Sequence, residues 1–244
     1  MKQGEENPNM GSIILKKILK GINELSDRSK AKIYSGFFKT SKGEYGEGDF
    51  FLGLTVPSQR IIAKKHIDCS LSDVKELLHS KYHEHRLTGF LILVYKFETA
   101  DDSEKKKIVK FYLENKDRSN NWDLVDSSAD KILGKWLIDK DKSILYSLAK
   151  SDSLWDRRIS IISTFEFIIN KKFTDTIKIS KILLKDKHDL IQKAVGWMLR
   201  EMGKRDEKEL IKFLDVHYRE IPRTMLRYSI ERLSEGKKKK YMAK

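Results

Sequence analysis

The chain has a single cysteine, Cys69, and only three prolines, Pro8, Pro57 and Pro222, in 244 residues. A lone cysteine excludes an intrachain disulfide, a four-cysteine zinc site and an iron–sulfur cluster held by this chain alone. Long apolar runs are missing as well. The longest, around Leu87 to Phe97, is interrupted by Thr88, Gly89 and Lys96 and is too short to span a bilayer, so no membrane association is expected. The segment Met1 to Met10 is polar and acidic rather than basic and then apolar, so no secretory signal is visible and a cytoplasmic location is expected. Serine and cysteine nucleophile motifs and glycine-rich dinucleotide fingerprints are absent. Gly43, Gly46 and Gly48, with Tyr45, lack the spacing and the Gly-Lys-Ser/Thr of a phosphate-binding loop, so Thr40 to Asp49 reads as a connecting loop.

Positive charge is plentiful. Fifty Lys and Arg stand against 36 Asp and Glu, a formal charge of +14, and the isoelectric point is about 9.5. A chain this basic points to a polyanion, and nucleic acid is the better reading in the absence of a membrane anchor. The 39% hydrophobic content suffices for a real core.

Apolar residues recur at three and four spacing almost throughout, and β-branched alternation is scarce, which predicts an all-α protein. Helices are expected over 11–25, 27–38, 57–68, 71–79, 84–99, 103–116, 121–138, 142–150, 154–171, 174–184, 188–203, 206–217 and 222–233. Ser103, Asp141 and Thr174 are candidate N-caps, and Pro57 and Pro222 suit first-turn positions. The longer helices begin near His83, Asn121, Ser153, His188 and Pro222, a period of roughly 35 residues that predicts stacked helix pairs, an α-solenoid. Arg86, Arg158 and Lys193 recur near the starts of such helices and would line a concave basic face. The expected organisation is a disordered 1–10, one repeat domain over 11–235 and a disordered basic tail over 236–244, which includes Lys237 to Lys240.

Three segments combine aromatic and charged residues: Asn121-Trp122-Asp123-Leu124-Val125-Asp126, Trp155-Asp156-Arg157-Arg158, and Gln192-Lys193-Ala194-Val195-Gly196-Trp197-Met198-Leu199-Arg200. Trp122 and Asp126, four apart, share a helix face. A carboxylate held beside an aromatic ring on a basic surface suggests that Asp126 faces something positive arriving with a polyanion. Taken singly, each tryptophan is an ordinary core residue and each charge a solvated one. Their recurrence at the heads of successive repeats turns them toward one surface. Asp123, Asp126 and Asp130 also have the spacing of a cation site, but no histidine accompanies them, and a place near a helix start explains Asp123. His79, His83 and His85 lack the partners of a zinc site and read as surface histidines near a turn.

These segments resemble the AlkD-type DNA glycosylases, HEAT-like-repeat enzymes of DNA alkylation repair. The likeness runs from Phe50-Phe51-Leu52-Gly53-Leu54-Thr55-Val56-Pro57 to Arg200-Glu201, and its most specific parts are the three motifs above, in order and at repeat spacing. The resemblance implies Asp126 as the catalytic carboxylate, Trp122 and Trp197 as rings beside the cationic nucleotide, and Arg158 as the arginine of the second motif. A guanidinium there suits a phosphate clamp. Lys193, Arg200 and Arg60 are further candidates for the DNA-binding surface, and Tyr34 matches a tyrosine of the early helical pair. Some members carry a second tryptophan where Asn121 stands. The implied activity is hydrolysis of the N-glycosidic bond of 3-methyladenine and 7-methylguanine in duplex DNA, monofunctional, without metal or cofactor, and without a pocket enclosing a flipped base. A monomer with no obligate protein partner fits that role. Two other readings remain open. One is a noncatalytic HEAT-like binder of distorted or branched DNA, which has no use for a placed Asp126. The other is a protein–protein scaffold, whose DNA affinity would not fall steeply with salt.

Overall fold

The computed structural model describes residues 12–243; the expectation of disorder over 1–10 lies outside them. Among the described residues the regular structure is helical, with one isolated bridge between Phe50 and Tyr82. The chain divides into two compact units at Asn121 and Trp122.

The first unit comprises α1 (Ile13–Glu24), α2 (Arg28–Phe37), α3 (Val56–Lys65), α4 (Leu71–Leu78), α5 (His83–Thr99) and α6 (Asp102–Glu114). Helix α5 is its centre: α3, α4 and α6 pack against it, and α1 packs on α3. Leu87 and the run Phe90 to Val94 are buried nearly all round, which is how an internal helix reads in sequence. Caps fix the helix starts. Ser70 and Asp73 form a reciprocal capping box on α4, and Thr55 caps α3 with Pro57 in its first turn. At α6 the cap is Asp101 rather than Ser103, because Asp101 reaches the Glu104 N–H at 2.9 Å.

The loop before α3 is tied to α5 from inside. Glu84 accepts the backbone N–H groups of Leu52, Gly53 and Leu54 at 2.9, 2.7 and 3.3 Å. Gly53 has φ +87° and lies so close to Asp27 that a Cβ would stand 2.1 Å from its carbonyl oxygen, so glycine is required there. Asp49 is buried between His83 Nδ1 at 3.2 Å, Arg86 Nη2 at 2.7 Å and Asn120 Nδ2 at 2.9 Å. His83 stacks on Phe51 at 4.6 Å and is therefore a core residue, not the surface histidine expected. Arg86 is likewise buried by its carboxylate rather than presented on a surface.

The second unit comprises α7 (Trp122–Ala129), a π-helical turn (Asp130–Gly134), α8 (Lys135–Leu137), α9 (Ser143–Ala149), α10 (Leu154–Ile169), α11 (Thr174–Ile182), α12 (Asp189–Arg205), α13 (Glu207–His217), α14 (Arg223–Ile230) and α15 (Glu235–Met242). Helices α7, α9, α11 and α12 pack on α10, and α13 and α14 on α12. The starts of α5, α7, α10, α12 and α14 follow the predicted repeat. The helix expected over 121–138 is interrupted by the π turn, where Gly134 comes against α10: a Cβ there would meet the Ser163 carbonyl oxygen at 2.4 Å. Two further caps differ from expectation. Pro222 is the residue before α14 rather than inside its first turn, and Thr174 opens α11 after Phe173. Asp141 accepts the Ser143 N–H at 3.1 Å from one position before the cap of α9.

Of the segment expected as a disordered tail, Gly236 to Met242 belong to α15, and Lys244 lies outside the described residues. Tyr241 is fully buried, its ring edge-on to Tyr218 at 5.5 Å and its hydroxyl donating to Asp215 at 2.8 Å. Lys240 reaches the same carboxylate at 2.9 Å, and Lys237 pairs with Glu207. The lysine run conceals the one aromatic that anchors it; Lys237 and Lys240 find their acidic partners on α13, and Lys238 pairs with Glu235 within α15.

Gly134→Ala should destabilise the protein by about 1–3 kcal/mol through overpacking against α10, measured by urea unfolding. Burial alone would raise the Asp49 carboxyl, but the bonds from His83 and Asn120 and the Arg86 charge hold it below its ordinary value. The stability Asp49 contributes is present above the unfolded carboxylate value and is lost as pH falls through the lower folded one. Asp49→Asn should therefore flatten the loss of stability below about pH 4; an unchanged acid limb would contradict the assignment.

Candidate active site

Ser153 starts α10 by accepting the Asp156 N–H at 3.4 Å, and the two arginines that follow point to different partners. Arg157 donates Nε to Asp186 at 2.7 Å and Nη1 to the Ser151 and Asp152 carbonyls at 3.0 and 2.9 Å. Arg158 turns toward α7. Its Nε donates to Asp126 Oδ1 at 2.8 Å and its Nη2 to Asp126 Oδ2 at 2.7 Å, a two-pronged fork. Its Nη1 donates to the Leu190 carbonyl at 2.6 Å, in the first turn of α12. One guanidinium thus joins α10 to both α7 and α12.

The pair is largely dry: the Arg158 side chain is 6% exposed and that of Asp126 16%. Burial raises the Asp126 carboxyl above its ordinary value; Arg158 opposes that rise, while the neighbouring charges of Asp123 and Asp130 add to it. The two-pronged fork needs both oxygens as acceptors, so its geometry is that of the ionised carboxylate. Among this crowd of carboxylates Arg158 partners Asp126, while Lys131 pairs with Asp130 at 3.0 Å. A surface phosphate clamp would keep its fork in solvent, whereas all three nitrogens of Arg158 are engaged inside the protein.

Trp122 is half-buried one turn before Asp126 on α7. Trp197 is half-buried on α12, seven residues beyond Leu190, which is about 10 Å of helix rise. Its ring lies 6.0 Å from that of Phe165, at 37°, and Phe165 is itself seven residues beyond Arg158. The α10–α12 contact therefore carries two rungs: Arg158 on the Leu190 carbonyl, then Phe165 on Trp197. Sequence reasoning missed Phe165, although its heptad spacing from Arg158 places both on one face of α10.

Lys193 pairs with Asp189 at 2.6 Å and keeps about 40% of its side chain exposed, and Arg200 pairs with Glu231. Tyr34 and Arg60 belong to the first unit. Tyr34 packs edge-on against Phe38 and Phe51 at 6.4 and 6.3 Å, and Arg60 donates to the Tyr95 hydroxyl at 3.3 Å. Among the described residues no group of three His, Cys, Asp or Glu is placed to hold a metal ion, and no helix is long and apolar enough to cross a membrane.

A helical-repeat chain with a buried carboxylate forked by arginine, flanked along its helices by half-exposed tryptophans, defines a class of all-α proteins carrying a polar site on stacked helices. The family model for the DNA alkylation repair enzymes matches residues 18–233, and the chain belongs to that family. Among solved structures it is similar to a predicted DNA alkylation repair enzyme from Enterococcus faecalis, with 15% identity and a TM-score of 0.66, over 86% of this chain and 97% of that one. At that identity the likeness shows the fold. No curated protein matches the chain significantly.

Replacing Arg158 by methionine would leave the Asp126 carboxylate without its partner, at a cost of about 3–5 kcal/mol. In a double-mutant cycle on thermal stability, Asp126→Asn combined with Arg158→Met should recover part of that loss. Strict additivity of the two substitutions would show that the fork contributes no coupling.

Proposed function

We propose that the protein is a monofunctional DNA glycosylase that hydrolyses the N-glycosidic bond of cationic alkylated purines, 3-methyladenine and 7-methylguanine, in duplex DNA. The observation that carries this reading is the Asp126–Arg158 fork, a carboxylate fixed in direction within a strongly basic chain of the alkylation repair family.

Methylation at N3 of adenine or N7 of guanine makes the base cationic and weakens its bond to the sugar. As the C1′–N bond breaks, its electron pair neutralises the departing base and the deoxyribose becomes an oxocarbenium ion. Asp126 faces that developing charge and accepts a hydrogen bond from the water that attacks C1′; the proton released leaves through the carboxylate to solvent. At an effective dielectric of about 20 and a separation of about 4 Å, such a charge pair is worth roughly 4 kcal/mol, on the order of 10³-fold in rate. Arg158 takes back part of that attraction. In exchange it keeps a buried carboxylate ionised and fixes its direction, so we assign it to positioning rather than to a phosphate. Trp122 and Trp197 supply ring faces for the cationic nucleotide, each worth about 0.5–2 kcal/mol by cation–π attraction. Lys193, Arg200, Arg60 and Tyr34 serve the DNA surface, and the enzyme works as a cytoplasmic monomer.

The test is release of 3-methyladenine and 7-methylguanine from methylated duplex without added metal. Asp126→Asn should abolish release while leaving affinity for the duplex nearly unchanged. Release that survives this substitution would sink the mechanism. No release by the native protein, with tight salt-sensitive binding, would favour the noncatalytic DNA binder.

Because Asp126 acts ionised and its carboxyl is raised by burial, the single-turnover rate should climb with pH through that raised value and level off above it. Arg158→Lys, which loses the fork that opposes the rise, should move the climb to higher pH.

A further inference from the structure

Trp197, Glu201 and Arg205 stand four residues apart on α12 and share one face. The Arg205 guanidinium lies over the Phe165 ring, 5.7 Å from its centroid, and Phe165 is the ring that abuts Trp197. Glu201 holds the arginine as well. Arg205 Nη1 donates to the Glu201 carbonyl at 3.0 Å and to its Oε2 at 3.1 Å. Burial alone would raise the Glu201 carboxyl, but bonds from Lys204 and Arg205 and the Arg200 charge hold it below its ordinary value, ionised.

One nitrogen of Arg205 is thus engaged, whereas among the described residues Nε and Nη2 have no protein partner, and 26% of the side chain remains exposed. A guanidinium seated on a ring and clamped at one corner presents its other edge in a fixed orientation. That planar edge matches two oxygens of a phosphate. It borders a cleft of about 320 Å³ whose lining includes Arg200, Lys204 and Arg232. Complementing the end of the α12 dipole accounts for a basic residue in this turn, and Lys204 already does so. The dipole does not account for a guanidinium laid on the ring that touches Trp197.

We propose that Arg205 is a phosphate-binding residue of the DNA-contact surface, presented by Phe165 and Glu201 beside Trp197; this rests on the reading of duplex DNA as substrate. Eight residues separate it from Trp197, about 12 Å of helix rise, so it grips the backbone and does not touch the reacting sugar.

The experiment is the salt dependence of binding to undamaged duplex. Each lost phosphate contact lowers the slope of log K against log salt by about 0.9. Arg205→Ala should show that drop, Arg205→Lys should keep the native slope, and Lys212→Ala, an exposed cation paired with Glu209 on α13, should leave it unchanged. On methylated duplex, Arg205→Ala should raise the half-saturating enzyme concentration and leave the saturating single-turnover rate within about twofold. Should Arg205→Ala melt early, Arg205→Gln, which keeps a donor for Glu201, carries the same comparison. A native slope in a folded Arg205 variant overturns the proposal, as does an equal drop in Lys212→Ala. Undamaged duplex needs no excision, so failure of the glycosylase reading alone leaves these slopes as they are, and native excision with an unchanged slope sinks only the role of Arg205.

Discussion

The constraint on which the second unit turns is the need to keep a carboxylate charged where water is scarce. Asp126 is largely buried beside two other acids, and both the burial and those charges raise its carboxyl. Arg158 opposes that rise with two parallel hydrogen bonds, and its third bond fixes the arginine itself to α12. Desolvating two ions is expensive, and such pairs are weak stabilisers next to an apolar filling.

The same device occurs in the first unit, where Arg86 near the start of α5 meets the buried Asp49. In both units an arginine close to the head of a long helix is turned inward to an aspartate that precedes it in the chain. Two of the three cations that the repeat pattern would place along a surface are therefore spent inside, and Lys193 alone keeps substantial exposure. The excess positive charge of the chain has to be delivered by residues between the repeat heads.

The all-α fold and the repeat spacing were legible because apolar periodicity depends on residues three and four apart, and those are local. Asp126 stood out as a candidate because the motif around it is local too. The limits were equally physical. Nothing in Trp155-Asp156-Arg157-Arg158 tells which arginine reaches Asp126 and which Asp186, since both acids are about thirty residues away. The burial of Tyr241 was hidden by the lysines around it, two of which are held by acids on α13. His83 read as a surface residue because the carboxylate that draws it inward, Asp49, lies two helices earlier in the chain. The π turn left no mark, because helical periodicity on either side of it is intact.

The third bond of Arg158 ends on a main-chain oxygen, the carbonyl of Leu190. Every residue type carries that oxygen, proline included, so no side-chain replacement at position 190 deletes it. In the course of divergence, position 190 is therefore free to drift in identity while its backbone goes on bracing the arginine, and only positions 126 and 158 are bound to change together. Covariation between sequences would register a pair where the molecule has a three-way joint.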